Sequence, residues 1–371
     1  MASTTYYEGS FTVPWDDRQP SQCPEHLFQR YESIVSEQRL SRTEHLRLMS
    51  LLGSGGQGVV YLSERRGIDN FTFPVAVKIL SPVRYRTETA YVDSMGRMAQ
   101  VAAKVAQIQQ DNLIDVYNWI DRDGIRLMEM EWVDGYDMKC LLTREMFGKV
   151  QHRVSERRWK YINEVIVTSG PVQPRLKPGI AVAIVRECLS ALAALHRANI
   201  VHGDIKPSNI MVKRTGNAKL IDLGSAFHLD DVPARKTCTP LYAAPEVLDR
   251  DELTPQSDLA SLGYVLIEML SGVPPFMGRG SWQELLQAKQ LLAQQLDHIL
   301  PHEVTCNKLL MNFCHRLIAP DPARRFTSAD AANILTEEGA AAFHRQLVKG
   351  NLASEYDNEI RLWLEELADM E

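Results

Sequence analysis

Residues 202–209 read HGDIKPSN, and thirteen residues past Asn209 comes Asp222, within Ile221-Asp222-Leu223-Gly224. Two aspartates and an asparagine separated by short β-forming runs make an oxygen donor set suited to Mg²⁺, a hard cation. Asp204 can orient a hydroxyl and accept its proton, and Asp222 with Asn209 can hold a metal between phosphates. The stretch follows IAVAIVRECLSALAALHRA, residues 180–198, where apolar side chains fall on nearly every face. That spacing predicts a buried helix.

Upstream, residues 53–60 read GSGGQGVV, so Gly53, Gly55 and Gly58 fit G-x-G-x-x-G with Val60 two residues on. Glycines let backbone N–H groups approach phosphate oxygens closely. Alone, the pattern also suits a plain glycine-rich hairpin. A dinucleotide fold needs a helix directly after the glycines, but here the β run VVYLSE follows. Lys78 then ends the apolar run of Ala76 and Val77, and lysine is seldom buried without a partner. As a point charge it can hold phosphate oxygens. LRLMSLLG, VVYLSER and PVAVKIL read as three strands, and residues 88–109 as a helix. Two more strands are expected near 115–120 and 125–132, and from residue 180 helices dominate.

With these motifs in order, the chain resembles the eukaryotic-type, bacterial-like Ser/Thr protein kinase family from about residue 46 to about 337. Thr239-Pro240, Ala244-Pro245-Glu246, Asp258, Pro274-Pro275-Phe276 and Arg325 extend the match. The resemblance implies an α+β bilobal fold, with a small β-rich lobe and a larger helical lobe. It implies transfer of the ATP γ-phosphoryl group to Ser/Thr hydroxyls of protein substrates, with Mg²⁺. Asp204, Lys206 and Lys78 become the catalytic residues, and Asn209 and Asp222 the metal ligands. Gly53, Gly55, Gly58, Val60, Ala76, Lys78, Glu131, Val133 and Met211 become the nucleotide-binding set. Met130 takes the gatekeeper position and Asp137 a ribose contact. Glu246 is expected to pair with Arg325, Asp258 to brace the catalytic loop, and His202 to serve in the core.

Three positions depart from the family pattern. Gly203 stands where an arginine usually precedes the catalytic aspartate, so a phosphorylated activation segment lacks its usual cation. Leu223 replaces the phenylalanine of Asp-Phe-Gly. The helical glutamate that usually pairs with the lysine falls on Val101, or on Gln100 with a one-residue shift. Glu88 and Asp93 are the acids nearby. Two alternatives follow: a small-molecule phosphotransferase of aminoglycoside or choline type, and a catalytically silent pseudokinase scaffold.

The chain has 371 residues, 45% of them hydrophobic and 24% charged. This mix fits a soluble globular protein of two or three folding units. The formal charge of −6 gives no support to nucleic-acid binding. No apolar run approaches the roughly 20 residues that span a bilayer, and the start carries no secretory signal. The six cysteines form no CxxC pair, which fits reduced thiols and a cytoplasmic location. The expected organisation is a polar arm over 1–44 with a short helix near 25–38, then a kinase-like domain over 45–337. Within it the lobes divide as 45–132 and 133–337. An insert over 143–178 carries eight Lys/Arg against three Glu. It offers a docking surface for an acidic partner or for the chain's own tail. That tail, 338–371, holds seven acids after residue 350 and an apolar stripe of Tyr356, Ile360, Trp363, Leu364 and Leu367 at helical spacing.

Overall fold

The computed structural model describes residues 13–14, 23–36, 46–233, 237–250, 252–279, 281–348 and 356–368. Most of the expected arm over 1–44 lies outside them. The chain forms two compact units. Unit 1 takes the residues up to Gln109, with Ile114–Val133 and Leu223–Thr237; unit 2 takes Gln110–Leu113, Asp134–Asp222 and Cys238 onward.

Unit 1 is built on five antiparallel strands: β1 (Leu46–Gly55), β2 (Gly58–Arg66), β3 (Thr72–Leu80), β4 (Val116–Arg122) and β5 (Ile125–Glu131). Their order is β1-β2-β3-β5-β4. Alternation along β3 sorts its residues onto two faces. Val75, Val77 and Ile79 join a core with Leu127, Ile120 and Ile125. Leu27 and Ile34 of α1 (Glu25–Ser36) and Tyr91 and Met95 of α2 (Glu88–Val105) cover that core. Tyr91 fixes α2 to the sheet, because its hydroxyl donates to the Leu80 carbonyl at 3.1 Å and accepts from Arg126 N–H at 2.9 Å. Burial pushes the Tyr91 phenol up to about 12, so it stays protonated and keeps donating.

Ala76 and Lys78 point to the opposite face of β3. Register sets Val60 and Met128 opposite Lys78, and Met130 opposite Ala76. The β1–β2 hairpin holds its tip against β3. Gly58 has φ of +141° and a side chain there would collide with the Ile79 carbonyl, so only glycine fits. The neighbouring Gln57 carbonyl accepts Ser81 N–H at 3.0 Å.

Unit 2 is organised around α5 (Pro178–Arg197) and α6 (Pro255–Ser271). By length and composition α5 could cross a membrane, with a mean hydropathy of 1.6, which corrects the expectation that no such run exists. Its apolar window is 78% buried within the protein, so it forms the core of a folded unit. Arg186 on it donates to Asn333 and His344, again inside the unit. A three-stranded sheet of β6 (Gly135–Asp137), β7 (Ile210–Lys213) and β8 (Ala218–Leu220) runs in the order β8-β7-β6. The α7 (Trp282–Ile299), α8 (Lys308–Leu317) and α9 (Ala340–Val348) helices complete the body.

The insert is ordered. It contains α3 (Arg144–Gln151) and α4 (Glu156–Val165), each N-capped by a hydroxyl, from Thr143 and Ser155. A short ladder pairs Val167–Thr168 with Arg175–Leu176. The tail's last helix, α10 (Tyr356–Ala368), docks on α5 and on Arg144–Gln151. Its whole apolar stripe is buried, from Tyr356 at 7% exposure to Leu364 and Leu367 at 0%. Arg158 of the insert pairs with Glu366 at 2.7 Å and Glu359 at 3.2 Å, and the Tyr161 hydroxyl donates to Glu359. The tail's own carboxylates therefore occupy this insert arginine.

Candidate active site

Within unit 2, Ile200-Val201 leads out of α5 into the stretch 202–209. The Asp258 carboxylate, at the start of α6, accepts the backbone N–H groups of His202 and Gly203, each at 2.9 Å. It also accepts from His196 Nε2 at 2.9 Å. Gly203 has φ of +77°, a backbone that suits glycine and strains an arginine. The His202 Nδ1 accepts Asp204 N–H at 3.4 Å, which leaves Nε2 to donate to the Ile221 carbonyl at 3.1 Å. One histidine thus ties Asp204 to the residue before Asp222. Asp222 itself has φ of +65°, a strain costing about 1–3 kcal/mol.

Asp204 is 5% exposed and Lys206 is 8% exposed. Lys206 Nζ lies 2.8 Å from Asp204 Oδ2 and donates to Thr239 Oγ1 at 3.1 Å. The Thr239 hydroxyl donates to Asp204 Oδ1 at 2.7 Å. Asn209 turns its amide N–H toward Asp204, donating to the backbone oxygen at 2.7 Å. This directs its amide oxygen the other way. The Asn209 carbonyl accepts Ile221 N–H at 3.0 Å and so brings Asn209 beside Asp222. Met211 on β7 pairs directly with Asp137 on β6. Asp137 caps the following short helix through Cys140 N–H at 2.8 Å. Burial pushes its carboxyl above the usual range, and the Cys140 N–H pulls the other way.

In unit 1 the glycine run forms the β1–β2 hairpin. One face of the sheet carries Val60, Ala76, Lys78 and Met130, and Glu131 ends β5 with Val133 just beyond. Lys78 is 3% exposed. Its Nζ donates to Gln57 Oε1 at 2.9 Å, and Gln57 Nε2 donates to Ser225 Oγ at 3.0 Å. Val101, at the family's glutamate position, is buried, and Gln100 is exposed. Glu88 pairs instead with His26 at 3.0 Å on the surface, and Asp93 is exposed. The glycine-loop glutamine is the Lys78 contact that the sequence did not reveal. Its signal is the hairpin register, which sets Gln57 beside Ser81 at the end of β3.

The remaining expected pair is present. Arg325 donates twice to Glu246, at 2.7 Å each, and further to the carbonyls of Ala319 and Gln256. A buried ion pair holds together only when its remaining donors are satisfied in this way.

The protein kinase domain family matches residues 46–337. The chain belongs to the protein kinase family. Serine/threonine-protein kinase PrkC of Bacillus subtilis (strain 168) is 29% identical over 291 residues, 76% of this chain and 39% of PrkC. PknD of Mycobacterium tuberculosis is 31% identical over 289 residues, 76% of this chain and 38% of PknD. PAK mbt of Drosophila melanogaster is 31% identical over 183 residues, 48% of this chain. The kinase thus spans about two fifths of the length of the bacterial relatives it matches. PrkC and PknD place the chain's resemblance with bacterial serine/threonine-protein kinases.

Proposed function

We propose that this kinase transfers the γ-phosphoryl group of Mg·ATP to Ser and Thr hydroxyls of proteins. The observation that carries the reading is the Asp204–Lys206–Thr239 triangle. Asp204 already accepts a threonine hydroxyl from the segment 239–243, and Lys206 sits beside both. A substrate hydroxyl replacing that of Thr239 would be oriented by Asp204 and would release its proton there. Its oxygen then bonds to the γ-phosphorus as the bond to ADP breaks. Lys206 offsets charge on the transferring group, and Lys78 holds phosphate oxygens as a point charge.

The oxygen donors fit Mg²⁺. Asp222 offers a carboxylate and the Asn209 amide oxygen is turned away from Asp204, a pairing suited to a hard cation that keeps waters and phosphates in its shell. When bound, the metal neutralises phosphate charge. Val60, Ala76 and Met130 of unit 1 are apolar surfaces for the adenine. Glu131 and Val133 offer backbone groups to its edge.

Labelled ATP with Mg²⁺, offered with Ser, Thr and Tyr peptides and with choline and an aminoglycoside, tests the reading. Phosphate should appear on Ser/Thr peptides. Asp204→Asn should cut turnover by about 10²–10⁴-fold, and Asp222→Ala should abolish it. Undiminished transfer in Asp222→Ala would overturn the site, and transfer to the small alcohols alone would favour the small-molecule alternative.

A further inference from the structure

The last helix lies outside the family match, which ends at residue 337, whereas α10 begins at Tyr356. Its first turn meets the turn between β7 and β8. There Arg214, Thr215 and Gly216 form a three-residue hairpin loop, closed by Lys213 N–H on the Asn217 carbonyl at 2.8 Å. Such a loop places its third residue in the left-handed region, and Gly216 has φ of +96°. A side chain on Gly216 would collide with the Asp357 carbonyl oxygen of α10. At the other end of the helix, the Leu367 carbonyl accepts a long hydrogen bond, 3.5 Å, from the Tyr136 hydroxyl of β6. Asp357 to Leu367 is about 15 Å of helix. That length crosses the two interstrand steps of about 4.8 Å from β8 through β7 to β6.

This sheet carries the metal-ligand candidates of unit 2. Asn209 directly precedes β7, and Asp222 follows β8 by two residues. The register pairs Ile210 with Leu220, Met211 with Lys219 and Val212 with Ala218. Asn209 to the turn at Lys213 is therefore only about 13 Å of strand. A hairpin this short needs support from outside to hold its shape. Glu187 of α5 supplies one support, accepting the Asn217 amide at 3.0 Å and Ala218 N–H at 2.6 Å. The backbone of α10 against Gly216 supplies the other. The helix is itself held on its far side, where Tyr356 stacks on His344 and Glu359 accepts from Arg158 and Tyr161.

We propose that α10 is a positioning element for the metal site, holding the β7–β8 hairpin by its turn and so the spacing of Asn209 from Asp222. Its effect on Mg²⁺ rests on the reading of those two residues as ligands. Groups that orient metal ligands from outside cost about 10–100-fold in metal affinity when lost. The peptide side should be spared. The segment 239–243 is tied to Asp204, Glu268 and Lys289, and none of these bonds passes through α10.

The full chain is titrated with ADP by calorimetry, with and without Mg²⁺, and the ratio of the two affinities is the metal's share. Hydrogen exchange over 209–222 and 356–368 is read alongside, with the KM for Mg·ATP and for peptide. Leu364→Asp puts a charge into the buried stripe and should release α10, seen as lost protection over 356–368. The metal's share should then fall by about tenfold or more, exchange over 210–220 should rise, and the KM for peptide should stay unmoved. Gly216→Ala should act in the same direction by pushing on Asp357. The double variant should be no worse than the more affected single one, because the collision disappears once α10 has left. Arg158→Gln/Tyr161→Phe loosens α10 without entering the stripe and should shift the metal's share the same way, which keeps the test open if Leu364→Asp does not fold. A released α10 with an unchanged metal share overturns the proposal. So does an equal loss of ADP binding with and without Mg²⁺, or fully additive effects in the double variant. Asp222→Ala should abolish the metal's share in any background; if it is retained, the metal assignment itself fails and the role of α10 falls with it.

Discussion

Replacing Trp363 separates docking of the last helix from mere proximity. Trp363 is 2% exposed and sits in a stripe whose other members are equally buried. Truncating such a tryptophan to alanine costs about 3–5 kcal/mol through lost burial and the cavity left behind. The same side chain carries a buried indole N–H with no acceptor among the described residues, and an unmet donor costs about 1–3 kcal/mol. Trp363→Phe removes that donor and keeps a ring in place. The two substitutions should therefore differ widely, with Trp363→Phe within about 1.5 kcal/mol of wild type. The Trp363→Ala loss also has a ceiling. Once it exceeds the docking free energy, α10 leaves the surface and nothing more is lost. Thermal unfolding, with hydrogen exchange over residues 356–368, reads both effects. Trp363→Ala should lower the midpoint by about 2–4 °C per kcal/mol and remove protection from α10. Unchanged midpoint and protection, or equal effects of Ala and Phe, would refute the reasoning.

Three further outcomes follow from named contacts. Gln57→Ala removes a charge-assisted hydrogen bond from Lys78, worth about 1.5–3 kcal/mol, so the KM for ATP should move by about ten- to a hundredfold with kcat less affected; steady-state kinetics checks it. His344 takes an Arg186 N–H on Nδ1, donates from Nε2 to the Gly179 carbonyl and stacks on Tyr356; burial, with Arg186 adding to it, lowers its pKa from 6.5 to about 4. The unfolded chain then binds more protons between those values, so stability should fall as pH drops from 6.5 toward 4, by up to about 3 kcal/mol, and His344→Gln should flatten that slope in pH-dependent unfolding. Lys289 is fully buried on the rings of Tyr264 and Phe276 and donates to the Leu241 carbonyl at 2.7 Å, and burial pushes its pKa well below the ordinary lysine range. Because desolvating a charge offsets its attractions, Lys289→Met should leave stability within about 1 kcal/mol while raising the KM for peptide, measured by titrating peptide at saturating ATP.

Strand alternation and helical spacing were legible because burial imposes them locally. VVYLSER and PVAVKIL fall within β2 and β3, and the apolar run at 180–198 nearly coincides with α5. The stretch 202–209 was legible for a different reason. Its side chains are held by short-range bonds, such as Asn209 to the Asp204 carbonyl, so their spacing is itself the geometry. What escaped were contacts that chain distance hides. Gln57 and Lys78 are 21 residues apart, and Arg158 and Glu366 are 208 apart. The opposite charges of insert and tail were visible as sums, yet only packing selects Arg158 from eight cations. Gly203 gives the sharper case. Read as a sequence, it is a missing arginine; in the fold, it is a position with φ of +77° whose N–H is held by Asp258. The backbone there is set by Asp258 in α6, so the side chain lost from the catalytic loop does not loosen Asp204.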